Sequence, residues 1–161
     1  MARFQRTSPA PPLPDGKDYT FFRPDVRKDF ERCCAYCLRH EDHCGGVDHF
    51  ELDHFKPQKR FPDLINEFSN FYYCCHRCNK RKSMSWPKEQ EQVAGYYFVD
   101  LCHDDFETHY QLRSDGRLEL LTTAAKYTEK TLKLNSPELV RERANILKDG
   151  YALDKPKWSI K

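Results

Sequence analysis

The chain has 161 residues, 39% hydrophobic and 32% charged, with a formal net charge of +2. That composition suits one globular domain with a modest core, rich in the aromatic residues that make up 14% of the chain. It excludes a bilayer span, since no run of about 18 apolar residues exists. The first residues lack an apolar leader core. The expected setting is therefore the cytoplasm, with no membrane partner and with cysteines kept reduced.

In chain order, the Pro-rich stretch Ser8–Gly16 makes residues 1–17 an extended or flexible arm, because proline fixes φ and removes donors. Residues 24–32 read as a short helix with Val26 and Phe30 on one face. Cys34-Ala35-Tyr36-Cys37 follows on a tight turn, and Gly45-Gly46 breaks the chain. Residues 47–55 alternate as a strand with Val47, His49, Glu51 and Asp53 on one face. A basic, proline-containing loop covers 56–70. Phe71–Cys74 is a short aromatic strand, and 76–85 is a helix that stops before Pro87.

Beyond Pro87 the chain reads as a C-terminal extension. Residues 96–99 suggest a strand or extended segment. Residues 110–113 and 117–121 flank Ser114-Asp115-Gly116 as a hairpin. Ser136 and Pro137 open a last helix as N-cap and N1, with Leu139, Val140, Ala144 and Leu147 as its apolar stripe and Gly150 as its stop. The expected fold class is α+β. One domain over 18–161 is expected, with a core at about 30–86 and an extension over 87–161.

Six of the eight cysteines form two clusters, Cys33/Cys34/Cys37 and Cys74/Cys75/Cys78. Such spacing suits metal chelation better than a disulfide framework. Two Cys-x-x-Cys turns give a tetrahedral Zn²⁺ its four thiolates, from Cys34, Cys37, Cys75 and Cys78. Cys33 and Cys74 could replace a neighbour but read as small buried apolar groups. Cys44, Cys102, His43, His76 and His103 are further candidate ligands. Residues 56–82 hold seven basic and two acidic residues, a local excess of +5. Lys56, Lys59, Arg60, Arg81 and Lys82 make that stretch a candidate phosphate-binding surface.

Between and after the cysteine pairs stand Leu52-Asp53-His54-Phe55-Lys56-Pro57, Asn70 five residues before Cys75, Asn79 directly after Cys78, and Lys82. This joint pattern over roughly 30–85 resembles the HNH endonucleases. The resemblance implies a small ββα-metal, treble-clef-like core stapled by a four-cysteine zinc, with the C-terminal hairpin and helix added. It implies hydrolysis of DNA phosphodiester bonds with His54 as general base, leaving 5′-phosphate and 3′-hydroxyl ends. Asp53 and Asn79 would hold one Mg²⁺ or Mn²⁺, with Ni²⁺ a further option, and the ion would polarise the scissile phosphate. Asn70 would brace the His54 loop, and Lys82 would touch phosphate. Asn79 stands where many members have His, which favours hard ions. Asp48-His49 repeats the Asp-His pair without the proline that follows His54, so it is assigned to the strand. The stretch Leu132–Arg141 is similar to tails of some bacterial HNH proteins, defence-associated ones among them, and reads also as ordinary packing. Two other readings stand beside the nuclease: a zinc-finger module that only binds nucleic acid, and a nuclease subunit awaiting a regulatory ATPase or sensor protein. RNA stays open as a substrate.

Overall fold

A computed structural model describes residues 2–149, which form two units: 2–86 with 101–103, and 87–100 with 104–149. In the first unit, α1 (Arg23–Asp29) leads to the first cysteine turn, then to β1 (Phe50–His54), β2 (Phe71–Cys75) and α2 (His76–Lys82). β1 and β2 pair antiparallel, from Phe50 opposite Cys75 to His54 opposite Phe71. All five residues of β2 are buried. Each large apolar side chain so buried contributes about 1.5–3 kcal/mol. Ring pairs Phe55–Tyr72 and Phe50–Tyr73, with centroids 4.5 and 4.7 Å apart, add about 0.5–1.5 kcal/mol each. The order strand, loop, strand, helix is the ββα arrangement expected of an α+β chain.

Residues 2–7, expected in a flexible arm, are docked. Phe4 is buried against Phe30, and Arg6 donates to the carbonyls of Phe68 and Phe71. Thr7 bonds the Asp29 carboxylate through both its amide and its hydroxyl. Buried aromatic carbonyls need donors, and the Arg6 fork meets that need while lying over the Phe30 and Phe68 rings. The α1 helix ends at Asp29 rather than 32, because Glu31 and Arg32 take positive φ.

β1 starts at Phe50, not Val47. Residues 47–49 form a 3-10 turn after Gly46, whose φ is +85°. Arg23 donates to the Val47 and Phe50 carbonyls, so a guanidinium takes the place of a paired strand. Two more 3-10 turns, Pro62–Leu64 and Phe68–Asn70, order the loop after β1. α2 stops at Lys82 because Ser83, at φ 46°, turns its amide back to the Asn79 carbonyl.

The second unit contains α3 (Glu89–Val93), α4 (Phe106–His109), a hairpin of β3 (Tyr110–Leu112) and β4 (Leu118–Leu120), α5 (Thr123–Leu132) and α6 (Pro137–Asp149). The hairpin pairs Tyr110 with Leu120 and Leu112 with Leu118. Residues 96–99 are not a strand: the Val99 amide and the Tyr97 carbonyl both bond the Thr128 hydroxyl on α5. A side chain thus satisfies backbone groups that a strand partner would otherwise take. α5 was not expected. Thr122 caps it through its hydroxyl, and Ala124, Ala125, Thr128 and Leu132 form its buried stripe. On α6, Leu139 is buried with Arg143, whose guanidinium donates to the Gly116 and Leu134 carbonyls. Gly150 lies outside the described residues. No described helix is long and apolar enough to cross a membrane.

Candidate active site

Antiparallel pairing of β1 with β2 brings the two cysteine turns together. The Ala35 amide donates to the Tyr73 carbonyl and ties the first turn to β2, while the second turn opens α2 directly after β2. The thiol sulfurs of Cys34, Cys37, Cys75 and Cys78 all lie within 4.8 Å of one another, and all four side chains are buried. Cys37 and Cys75 Sγ are 3.9 Å apart. A tetrahedron with Zn–S bonds of about 2.3 Å has edges of about 3.8 Å, so this donor set fits a structural zinc. Cys33 and Cys74 are buried outside it. Burial pushes the Cys33 thiol up to about 11, and the Cys74 thiol well up. The Cys33 thiol donates instead to the Glu31 carbonyl.

Asp53, on β1, is buried. Its Oδ2 accepts from the Tyr36 hydroxyl and from Lys82 Nζ, the latter at 2.9 Å. Burial pushes the Asp53 carboxyl up, against the Lys82 charge and the Tyr36 hydroxyl. Lys82 is completely buried and also donates to the His54 carbonyl at 2.9 Å. The expected phosphate contact for Lys82 does not match this position: the ammonium points into the core. Its place was legible after all, because Lys82 follows Cys78 by four residues and so shares the inward face of α2.

His54 ends β1 and is half-buried, with the edges of Tyr19 and Phe71 beside its ring at 5.0 Å. Its Nε2 lies 3.0 Å from the Ile65 carbonyl oxygen. A carbonyl only accepts, so Nε2 carries the proton and neutral His54 keeps its lone pair on Nδ1. Asn70, buried just before β2, accepts from the Lys56 amide and donates to the Lys56 and Leu64 carbonyls. It pins both ends of the loop, one residue from Ile65.

Asn79, on the first turns of α2, donates through Nδ2 to Glu51 Oε2, and His76 lies 3.0 Å from the other Glu51 oxygen. With its nitrogen held by Glu51, the Asn79 amide oxygen is the atom left for a cation. Glu51 therefore holds the Asn79 side chain by its nitrogen. Asp48 and His49 are exposed on the turn before β1. Lys56, Lys59 and Arg60 are exposed on the loop after β1, with Arg60 donating to the Trp86 carbonyl, and Arg81 is half-buried on α2.

Two partners were not visible in the motif. Tyr36 gives no spacing signal for its reach to Asp53. Glu41 is buried and bound by Arg27, Arg32 and the Tyr73 hydroxyl. Arg27 foremost, with Tyr73 and Arg32, holds the Glu41 carboxyl down at about 2.

In a comparison with curated proteins, none matches the chain. The family model for HNH endonuclease matches residues 34–85. That span opens at the first zinc-ligand cysteine, includes the Asp53-His54 pair, and closes just after Lys82. With its ββα core, the segment 34–85 is thus similar to the HNH endonucleases, and its four converging cysteines fit the zinc site of a paired Cys-x-x-Cys set.

Proposed function

We propose that this chain is a metal-dependent endonuclease that hydrolyses DNA phosphodiester bonds, with His54 as the general base. The observation that carries the reading is the bond from His54 Nε2 to the Ile65 carbonyl. It leaves Nδ1 as the one basic nitrogen of a half-buried ring, and imidazole is suited to proton transfer near neutral pH. The Asn70 bonds to Lys56 and Leu64 support the same geometry by holding the loop that carries the Ile65 carbonyl.

The oxygen donors Asp53 Oδ1 and Asn79 Oδ1 fit a hard divalent ion such as Mg²⁺ or Mn²⁺. Bound there, the ion supplies positive charge to the scissile phosphate and to the departing oxygen. Lys82 and Tyr36 hold the other Asp53 oxygen, and Glu51 holds the Asn79 nitrogen. Each ligand is thus fixed by its far side. The exposed Lys56, Lys59 and Arg60, with Arg81 on α2, supply cations for the phosphate backbone. Lys82 moves from that group to a positioning role.

Plasmid cleavage by purified, zinc-loaded protein tests the reading, with EDTA, Mg²⁺, Mn²⁺ or Ni²⁺ and with His54→Ala in parallel. Metal-dependent nicking that falls by about 10²–10⁴ in the variant is expected. An unchanged rate in His54→Ala removes the base. Magnesium-independent binding without cleavage of DNA or RNA turns the reading to a binding module. Activity that appears only on adding a co-purifying ATPase or sensor protein turns it to a partner-activated subunit.

A further inference from the structure

The middle of the first cysteine turn carries a side chain that the zinc does not need. Tyr36 sits between ligands Cys34 and Cys37, is buried, and lies with its ring stacked on Tyr72. Its hydroxyl reaches across to Asp53 Oδ2 at 2.5 Å. The turn that carries it is itself rigid. Cys34 donates its amide to the Arg39 carbonyl, Leu38 donates to the Cys34 carbonyl, and Ala35 is bonded to β2.

We propose that Tyr36 is a positioning residue for the reactive metal: its hydroxyl fixes the Asp53 carboxylate, so that the zinc turn sets the affinity of the neighbouring divalent site. The inference rests on the assignment of Asp53 as a ligand. A carboxylate turns about its terminal torsion, and Lys82 alone supplies a point contact to one oxygen, which leaves that torsion unfixed. The tyrosine ring adds a second donor to the same oxygen from a fixed direction. Together they hold Oδ2 in the core and leave Oδ1 as the ligand atom. Groups that orient a metal ligand in this way are commonly worth about 10–100-fold in metal affinity.

The test is Mn²⁺ binding to zinc-loaded protein, read by electron paramagnetic resonance without substrate, beside the Mg²⁺ dependence of plasmid cleavage. Tyr36→Phe removes the hydroxyl and keeps the ring. It is expected to weaken Mn²⁺ binding about ten-fold or more, and to raise the Mg²⁺ concentration for half-maximal cleavage with a smaller change at saturation. Zinc content and the absorption spectrum of Co²⁺-loaded protein report that the turn is intact. Replacing Tyr36 by 4-aminophenylalanine, which keeps a donor at the ring's end, is expected to restore wild-type affinity. Replacing it by 4-methylphenylalanine, which fills the volume without a donor, is expected not to. That pair carries the test if Tyr36→Phe does not fold.

Equal Mn²⁺ affinity in wild type and in the donor-free variants, with the turn intact, overturns the inference. So does Mn²⁺ binding that persists unchanged in Asp53→Asn, or no Mn²⁺ binding by the wild type. Mn²⁺ binding that needs Asp53 and the Tyr36 hydroxyl, in a protein that cuts nothing, supports the inference while the nuclease reading fails.

Discussion

Replacing Lys82 by Met separates a buried structural cation from a phosphate-binding one. Met keeps most of the stem volume and removes the ammonium. In the folded protein that ammonium lies 2.9 Å from Asp53 Oδ2 and 2.9 Å from the His54 carbonyl, with none of its side chain exposed. Breaking a buried pair from one side costs about 3–5 kcal/mol, and the lost carbonyl bond adds about 1 kcal/mol. Protonation of Asp53 relieves part of this. Without Lys82 the Asp53 carboxyl rises further above its ordinary range, so a group with a raised folded pKa destabilises more as pH climbs. The stability gap between wild type and Lys82→Met is therefore expected to be smaller at pH 5.5 than at pH 8. Urea unfolding of zinc-loaded protein, followed by circular dichroism and zinc release at equal free zinc, measures it. Lys82→Met combined with Asp53→Asn is expected to show a coupling of about 0.5–3 kcal/mol. A phosphate-contacting lysine behaves differently: stability stays within about 0.5 kcal/mol, and the slope of DNA affinity against salt falls by about one. That second pattern refutes the buried-pair reasoning.

Asn70→Ala removes three bonds to the loop. At about 0.5–1.5 kcal/mol each, it is expected to cut plasmid cleavage at saturating Mg²⁺ while leaving Mn²⁺ affinity unchanged. A loss confined to metal affinity sinks that role. Stripping zinc with a chelator is expected to abolish amide protection in β1, β2 and α2, with recovery on adding Zn²⁺, because the metal supplies much of the folding free energy of such a unit. Protection retained in the stripped protein speaks against a folding role. Glu41→Gln probes the carboxylate held at about 2 instead of 4.5, a difference of roughly 3 kcal/mol at about 1.4 kcal/mol per pH unit. Because Arg27 and Arg32 are 36% and 45% exposed, screening reduces the expected loss to about 1–2 kcal/mol. A lowered carboxylate contributes above its unfolded pKa and is lost only as pH falls through the folded one. The gap is thus expected to stay flat from pH 8 to 5.5 in urea unfolding, and a decline within that window contradicts the assignment.

Sequence spacing located the cysteine set and the β1–β2–α2 order, because those rest on local rules, whereas Asp53, His54, Asn70 and Asn79 were singled out only by the resemblance to the HNH endonucleases. Two thiols three apart fit one metal, and a turn plus a short helix holds them. What spacing missed are the cross-chain donors. Tyr36 meets Asp53 and Glu51 meets Asn79 only once β1 has paired with β2. Val47–His49 failed as strand because a guanidinium 24 residues away satisfies the Val47 carbonyl. Of the two readings for residues 96–99, strand or extended segment, the strand is absent because Thr128 replaces a strand partner. α5 carried a signal that went unread: a threonine cap followed by an Ala-Ala stripe.

The partner that sets the His54 tautomer is a backbone carbonyl, and no side-chain substitution can delete it. Residue 65 is accordingly free to drift among residues that accept the local fold. The length of the segment from 55 to 65 has no such freedom. One inserted or deleted residue moves the carbonyl out of register with the ring, even if every other side chain in the site is kept. Natural variation here should therefore show changing letters at constant count. A designer grafting new specificity onto this loop can rewrite its exposed cations but has to preserve its tally of residues.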